Sequence, residues 1–528
     1  MANWTDKEIT DRAAQAEGHR ARIQPYIDEG IRFGMPWRKD PKKGRPDFDY
    51  VFDGTGMDGV QKFSKRLSSD LTPPFQRWFE LKAGPLVAQE VQEDVNRELA
   101  GVTQIAHAAI DASGFHKAAE ETYADLSLGT GALLGTEGDD HNPLIWNSVP
   151  PWALGIEEGP SGIVENVYWQ RSYPAHQLMR KWPDAQWPMK VREIIAEKPM
   201  QAVDILQASY FDSAERVFRF HVLVRDEGWH TVVDRVNRVN PWNVPRWWTT
   251  SGDPWGRGPL MMALPDIKTS NKVVEMILKA AAYSLAPPLM VLHDGVINPD
   301  NLRLAPHALI RVARTGGPMG RSIEPLDLGG RVDLGQLVLQ EQRANITKRM
   351  LNKELPPVTG AVRSPTEILE RVKEFAFETG SSFGRLNHEF VPGVIARVLD
   401  VLDRKKVTLV DFERLKIDQL VLKVQVVSPL ARAQLLEDVM NTVRFIELVR
   451  GLGGPEMLEL VVPLEEALIR IAEGMGVPVW GTRTKLDRAE LQRVMGKMMA
   501  DMQAQAAATG APVGPGGAPG GPGLRAVA

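Results

Sequence analysis

The placement of prolines between residues 259 and 365 constrains this chain more than any other feature. Pro259 stands where a helix can begin, Pro287 and Pro288 stop it, and the residues between them are helical in character to Leu285. Gly256, Arg257 and Gly258 form the loop in front, and Pro265 lies early enough to be tolerated or to begin the helix itself. Ile267, Val274, Ile277, Leu278, Ala281 and Leu285 fall on one stripe, whereas Lys268, Lys272, Glu275 and Lys279 fall mostly elsewhere. One face packs and another is wet. Residues 286–331 then read as short strands and turns at 289–292, 308–312 and 323–328, separated by Asn298-Pro299 and Gly316-Gly317-Pro318. A second helix is expected over 334–350, with Asp333 as its N-cap and Gln336 three residues on. A helix, a small β insertion and a second helix can run as an antiparallel pair that holds the insertion at its far end.

Downstream, Pro356, Pro357 and Gly360 keep residues 355–364 from being helical. Ser364, Pro365 and Glu367 then make a capping box with proline at the first helical position, and the helix that follows can run to about residue 405 with breaks at Gly380, Gly384, Pro392 and Gly393. Residues 407–427 are strand-like, most clearly 416–425, and 428–505 are again helical with breaks at 451–454 and 476–478. From Thr509 the chain is too rich in Gly and Pro and too poor in apolar side chains to fold, so a disordered tail is expected.

Upstream, residues 7–123 are mainly helical, and 89–110 place Val91, Val95, Leu99, Val102 and Ile105 on one face. A helix over 115–126 leads through Gly129, Thr130 and Gly131 into Ala132, Leu133 and Leu134. Between 144 and 248 the texture changes to short apolar runs at 163–170, 217–224 and 229–233, with Asp226, Glu227 and Gly228 as a hairpin turn and a helix around 175–182. A helical part followed by an antiparallel β part is the α+β class. Fourteen tryptophans, among them Trp78, Trp146, Trp152, Trp169, Trp242, Trp247 and Trp248, fit core and interface packing.

The 528 residues exceed what one core usually serves, so roughly two to four domains or an elongated subunit are expected. Hydrophobic residues at 43% and charged residues at 25% are ordinary for a globular chain. No apolar run approaches the roughly 18 residues of a membrane span, and MANWTDKEIT lacks the apolar core of a signal peptide, so no membrane partner is expected. With 63 basic and 67 acidic residues the net charge is -4, so any contact with nucleic acid has to be local. The absence of cysteine removes disulfides, thiolate nucleophiles and cysteine-ligated zinc, and fits folding in a reducing cytosol.

Chemistry-bearing motifs are few. Asp139, Asp140 and His141 are adjacent and cannot easily converge on one ion, which makes a solvated turn the better reading. Gly129, Gly131 and Gly135 loosely resemble a phosphate loop, yet they follow a helix and lack a Lys-Ser/Thr pair. His388 and Glu389 lack the second histidine of a zinc-protease helix, and there is no nucleophile elbow and no marked carboxylate pair. No catalytic residue, metal ligand or cofactor site is therefore assigned. One charge feature stands out: Arg343, Lys348, Arg349, Lys353, Arg363, Arg371 and Lys373 against Glu354, Glu367 and Glu370 give residues 343–373 a net charge of +4. Two readings stay open, a solvated helix surface and a face turned to DNA phosphates without reading bases.

Three stretches carry a resemblance to a known family: GVQKFSKRLSSDLTPPFQRWFEL at 59–81, FHKAAEETYADLSLGTGALL at 115–134 and, most distinctive, GDPWGRGPLMMALPDIKTSNKVVEMIL at 252–278. Over about residues 10–430 the chain resembles the portal, or head-to-tail connecting, proteins of short-tailed, podovirus-type bacteriophages. That resemblance implies an elongated multidomain fold: a wing at 1–258, stem helices at 259–285 and 332–351, a clip at 286–331 and a tunnel loop at 352–364. A kinked long helix returning to the wing at 365–427, a helical crown at 428–505 and a disordered tail at 506–528 complete it. It also implies a dodecameric homo-oligomeric ring at one capsid vertex of the virion, assembled in the host cytoplasm, that passes double-stranded DNA without sequence specificity during packaging and ejection. Its implied partners are the major capsid and scaffolding proteins, the terminase large subunit and then a tail adaptor protein, and it is a structural protein rather than an enzyme.

In this reading Arg343, Lys348, Arg349, Lys353 and Arg363 are the DNA-channel candidates. Val274, Ile277, Ala281 and Leu285 are candidates for packing between stem helices, with packing inside one subunit as the other option. A different structural ring or tail component of the virion, and more remotely an enzyme of unknown class, are the rival readings.

Overall fold

The computed structural model describes residues 4–45, 48–74, 76–84, 86–87, 89–139, 142–285, 289–291, 323–325, 332–351, 384–406, 422–426, 439–440, 442–449, 451 and 471. The chain divides into two compact units, Met1–Gln434 and Leu435–Ala528. In the second, residues 439–440 and 442–449 are helical and bury Val439 and Val449. The expected tail from Thr509 lies outside the described residues, as do residues 308–312, the loop at 355–364 and the capping box at Ser364.

The first unit begins with α1, Asp6–Gly34, opened by a reciprocal capping box between Thr5 and Glu8. Its buried residues Ile9, Ala13, Ala16, Ile23, Ile27 and Ile31 recur at helical spacing. Helix α2, Thr55–Leu71, buries Val60, Phe63, Leu67 and Leu71. Helices α3, Gln89–Ala112, and α4, Phe115–Leu126, are joined through Gly114, whose φ of 70° suits a residue without a Cβ. Along α3 the buried line is Leu99, Val102, Ala106 and Ile110. Ile105, expected on that face, is exposed: the apolar line drifts because 3.6 residues per turn carries position 105 past the contact that Ala106 fills.

The largest sheet is an antiparallel meander of five strands. These are β4, Leu154–Glu158; β5, Val164–Pro174; β6, Ala202–Asp212; β7, Val217–Arg225; and β8, Trp229–Asn237. It is covered on both faces. Leu206, Ala208, Tyr210 and Leu223 cluster with Ile9, Ala13 and Ala16 of α1, while Ile205, Val222 and Val224 join the main core. Double coverage explains why β7 reads VFRFHVLV rather than alternating. Within the connection from β5 to β6 lie α5, Ala175–Lys181, and α6, Met189–Glu197.

A second sheet orders β3, Leu144–Ser148, β2, Leu133–Glu137, and β9, Trp242–Asn243. Most of the tryptophans singled out above are core residues, including Trp78, Trp146, Trp169, Trp242 and Trp247, whereas Trp248 is exposed. A third pairing joins distant parts: β1, Phe79–Ala83, runs antiparallel to β14, Leu422–Val426, with Phe79 opposite Val426 and Leu81 opposite Val424. The N-terminal stretch expected to be mainly helical therefore contains a strand. Its partner lies too far along the sequence for local periodicity to report it.

The long helix expected to end near residue 405 is broken. Residues 384–389 are helical, Phe390 is a turn, and α9, Val391–Arg404, restarts with Pro392 in its first turn. The Phe390 carbonyl accepts from the Val394 N–H at 3.1 Å and also from Asn243 Nδ2 at 2.6 Å, which ties the restart of the helix to β9. Short strands β10, Trp248–Thr250, and β11, Asp253–Arg257, deliver the chain to α7, Pro259–Leu285. After α7 come β12, Leu289–Val291, and β13, Ile323–Pro325, and then α8, Val332–Arg349.

Candidate functional site

Helix α7 packs against α8, and the two face each other antiparallel with β12 and β13 paired at their far end, Met290 opposite Glu324. Among the described residues, burial is confined to one end of the pair. On α7, Leu260, Ala263, Leu264, Ile267, Ser270 and Asn271 are buried, as are Ile346 near the C-terminal end of α8 and Met350 just after it. Farther out, Met276 is 57%, Leu278 53%, Tyr283 56% and Leu337 66% exposed. At 1.5 Å per residue a 27-residue helix is about 40 Å long, so roughly half of α7 extends beyond the packed root. Leu278, expected on the packed stripe, is thus solvent-facing: one antiparallel neighbour covers only a narrow seam. Asp333 is inside α8 and not its N-cap, because the helix starts one residue earlier at Val332.

The root is locked by a buried carboxylate. Asp53, 4% exposed, accepts from Ser270 Oγ on α7, from Thr55 Oγ1 at 2.8 Å and from Arg343 Nη2 of α8 at 3.2 Å. Burial alone pushes its carboxyl up, but these donors outweigh it and hold the group below its ordinary value. Beside it, Asn271 Oδ1 accepts from the backbone N–H of Phe52 at 2.6 Å and of Asp53 at 3.2 Å, and Asn271 Nδ2 donates to the Tyr50 carbonyl at 2.8 Å. Arg349 pairs with Asp266 at 2.8 Å and donates to the Met262 carbonyl at 2.9 Å. Arg66 of α2 donates to the Leu351 carbonyl at 3.1 Å. Both helices are thereby fixed to the body and to each other.

The entry to α7 depends on glycine. Leu260 N–H donates to the Ser127 carbonyl at 2.9 Å, and Gly256 N–H to Thr130 Oγ1 at 2.9 Å. A Cβ on Gly258 would stand 2.0 Å from the Ser127 oxygen, and one on Gly256 would stand 2.1 Å from the Gly129 oxygen. The GTG and GRG segments thus form a close backbone crossing, which gives Gly129 a packing role that its resemblance to a phosphate loop did not suggest. Gly258→Ala is expected to destabilise the protein by about 1–3 kcal/mol through overpacking, read as a lower thermal midpoint with unchanged helix content. Arg246, nearly inaccessible, braces this crossing through Glu158 at 3.1 Å, Glu389 at 3.4 Å and the Gly162 carbonyl at 2.6 Å. His388-Glu389 thus supplies a structural ion pair.

Of the channel candidates, Arg343 and Arg349 sit in the root with the carboxylate partners just described, Lys348 is exposed, and Lys353 and Arg363 lie outside the described residues. Of the stem candidates, Val274, Ile277 and Ala281 are half-buried. A Cβ built on Gly335 would meet Ile277 at 3.3 Å, which places Ile277 against α8 of the same chain. The side chain of Leu285 is not among the described ones. Sequence reasoning missed the Asp53 hub, since its helix partners Ser270 and Arg343 lie more than two hundred positions away. Among the described residues no cluster of His, Asp and Glu suits a metal ion, and no helix is long and apolar enough to cross a membrane.

A family model described as bacteriophage head to tail connecting protein matches residues 6–479. A probable portal protein of Bordetella phage BPP-1 is 23% identical over 474 residues, covering 84% of this chain and 81% of that protein. Among solved structures, a chain of the virion of a native gene transfer agent particle aligns with a TM-score of 0.37 and 12% identity, over 82% of this chain and 92% of that one. A chain from the neck of an empty gene transfer agent particle, computed with C6 symmetry, aligns with a TM-score of 0.38 and 13% identity over the same shares.

Proposed function

The chain belongs to the family of bacteriophage head to tail connecting proteins, and from that premise we propose that it is the subunit of a portal ring that conducts double-stranded DNA. As a connector it is a component of a phage virion. The observation that carries the finer reading is the α7/α8 pair, bonded to the body at its root alone among the described residues and holding a β pair at its tip. A lone subunit gains nothing from exposing Met276, Leu278, Tyr283 and Leu337 on such a pair, whereas a ring of copies would cover them. In this reading α7 and α8 are the stem, residues 286–331 the clip and 352–364 the tunnel loop. The ring contains about twelve copies, joins capsid and scaffolding proteins at one vertex, docks the terminase large subunit and later a tail adaptor, and makes or breaks no bond itself.

Val274 and Ala281, with the exposed apolar residues beside them, are the side chains proposed to meet a neighbouring stem. Lys348, Lys353 and Arg363 are the cations proposed to face DNA phosphates, without base readout. Negative-stain microscopy of the purified protein should show rings of uniform subunit number with an axial channel. Monomeric particles without a central pore would overturn the proposal.

A further inference from the structure

Between residues 32 and 45 the chain carries Arg32, Arg38, Lys39, Lys42, Lys43 and Arg45 against the lone carboxylate of Asp40. Two of these cations are spoken for, Arg38 by Asp125 and Glu121 and Lys43 by Asp28. Among the described residues the other four form no ion pair: Arg32 lies 4.2 Å over the ring of Tyr50, and Lys39 Nζ donates only to the Arg45 carbonyl, at 3.0 Å. Pro36 and Pro41 each open a 3₁₀ turn, which limits the conformations of the segment, and Arg32, Lys42 and Arg45 are exposed. Trp37 and Tyr50 are exposed beside them, at 42% and 50%. The surface is continuous with the stem root, because the Tyr50 carbonyl and the Phe52 N–H are held by Asn271 of α7.

We propose that this segment is a phosphate-backbone contact, at which Arg32, Lys39, Lys42 and Arg45 engage double-stranded DNA without reading its sequence. The proposal rests on the conduit reading above and adds to it a contact outside the stem and the tunnel loop. A polymer with a regular row of charges fits better than a single small anion. The neighbouring cavity of about 290 Å³ is lined by Asp28, Asp40, Arg32, Lys39 and Lys43, with Lys43 paired to Asp28, whereas Lys42 and Arg45 lie outside it on the exposed segment, so the cationic surface is extended rather than gathered in one pocket.

The test compares the full chain with Lys42→Ala/Arg45→Ala, both solvent-exposed positions, by fluorescence anisotropy with a short DNA duplex over a range of salt concentrations. Removing each phosphate-bound cation should lower the slope of log affinity against log salt by about 0.9, and affinity at about 0.1 M salt should fall roughly tenfold or more. Lys190→Ala, which removes another exposed lysine, one paired with Glu227, should leave both quantities unchanged. Equal salt slopes for the full chain and the double variant would overturn the proposal. So would a loss of binding to poly-glutamate with DNA binding intact, which would make the partner an acidic protein. Microscopy of the same samples separates the two ideas: particles without rings that still bind DNA through Lys42 and Arg45 would sink the conduit reading and leave this contact standing.

Discussion

Arg38→Ala is expected to lower the unfolding free energy by about 3–5 kcal/mol, the range for breaking a buried ion pair from one side. Arg38 closes the first 3₁₀ turn after α1, and its fork grips both oxygens of Asp125, at 3.0 and 2.6 Å. It also reaches Glu121 at 3.1 Å and Ser148 Oγ at 3.0 Å, so one side chain joins α4 to β3. Asp125 has no exposed surface, and without the guanidinium it must remain a buried anion or take up a proton. Urea denaturation at neutral pH reads the loss. Arg38→Lys should recover only part of it, because an ammonium cannot span two carboxylate oxygens and a hydroxyl in one plane. Arg38→Met combined with Asp125→Leu should cost less than Arg38→Ala alone, since no charge is then stranded. A loss below about 1 kcal/mol in the alanine variant would show that the pair is dispensable.

The second large effect is expected at the root of the hairpin. Asp53→Ala removes the shared acceptor of Ser270, Thr55 and Arg343 and should cost about 3 kcal/mol. The site also sets a pH dependence whose sign is fixed. The folded-state value of Asp53 lies below its ordinary one, so the contribution is present above the unfolded value of about 3.9 and is lost as pH falls through the depressed folded value. Chemical denaturation between about pH 2 and 5 should show wild-type stability falling with acid, with a smaller fall in Asp53→Asn. Parallel curves for the two proteins would remove Asp53 from the account of acid sensitivity. If the hairpin is the stem of a ring, Asp53→Ala should also reduce the fraction of assembled particles, because a hinge at the root misaligns every copy.

Much of the scaffold was legible where punctuation residues set boundaries. The helices expected over 115–126 and 259–285 match the observed bounds, the second because Pro259 can open it and Pro287-Pro288 cannot continue it. The turn at Asp226-Glu227-Gly228 likewise followed from local chemistry. What escaped depended on distance along the chain. Strand β1 is defined by its pairing with β14, α6 has a short and mixed pattern, and the exposure of Leu278 reflects how little of α7 a single neighbour covers. The candidate site was half legible. Its helices and tip strands were visible as pattern, but its ionic root joins Asp53 to Ser270 and Arg343, and no periodicity carries that. The cationic run at 38–45 was in plain view in the sequence; its weight became apparent only once the ion pairs of Arg38 and Lys43 separated engaged charge from free.

The antiparallel pair of β1 and β14 also sets an order of events at the ribosome. Ala83 faces Leu422, so the edge that α3 packs against stays half-built while roughly 340 further residues are made, an interval of tens of seconds at bacterial elongation rates. Until then Phe79 and Leu81 wait without their opposite strand. A nascent chain arrested before residue 422 should therefore bind chaperones and be cut readily by protease near β1, and release of a few dozen more residues should close the clasp.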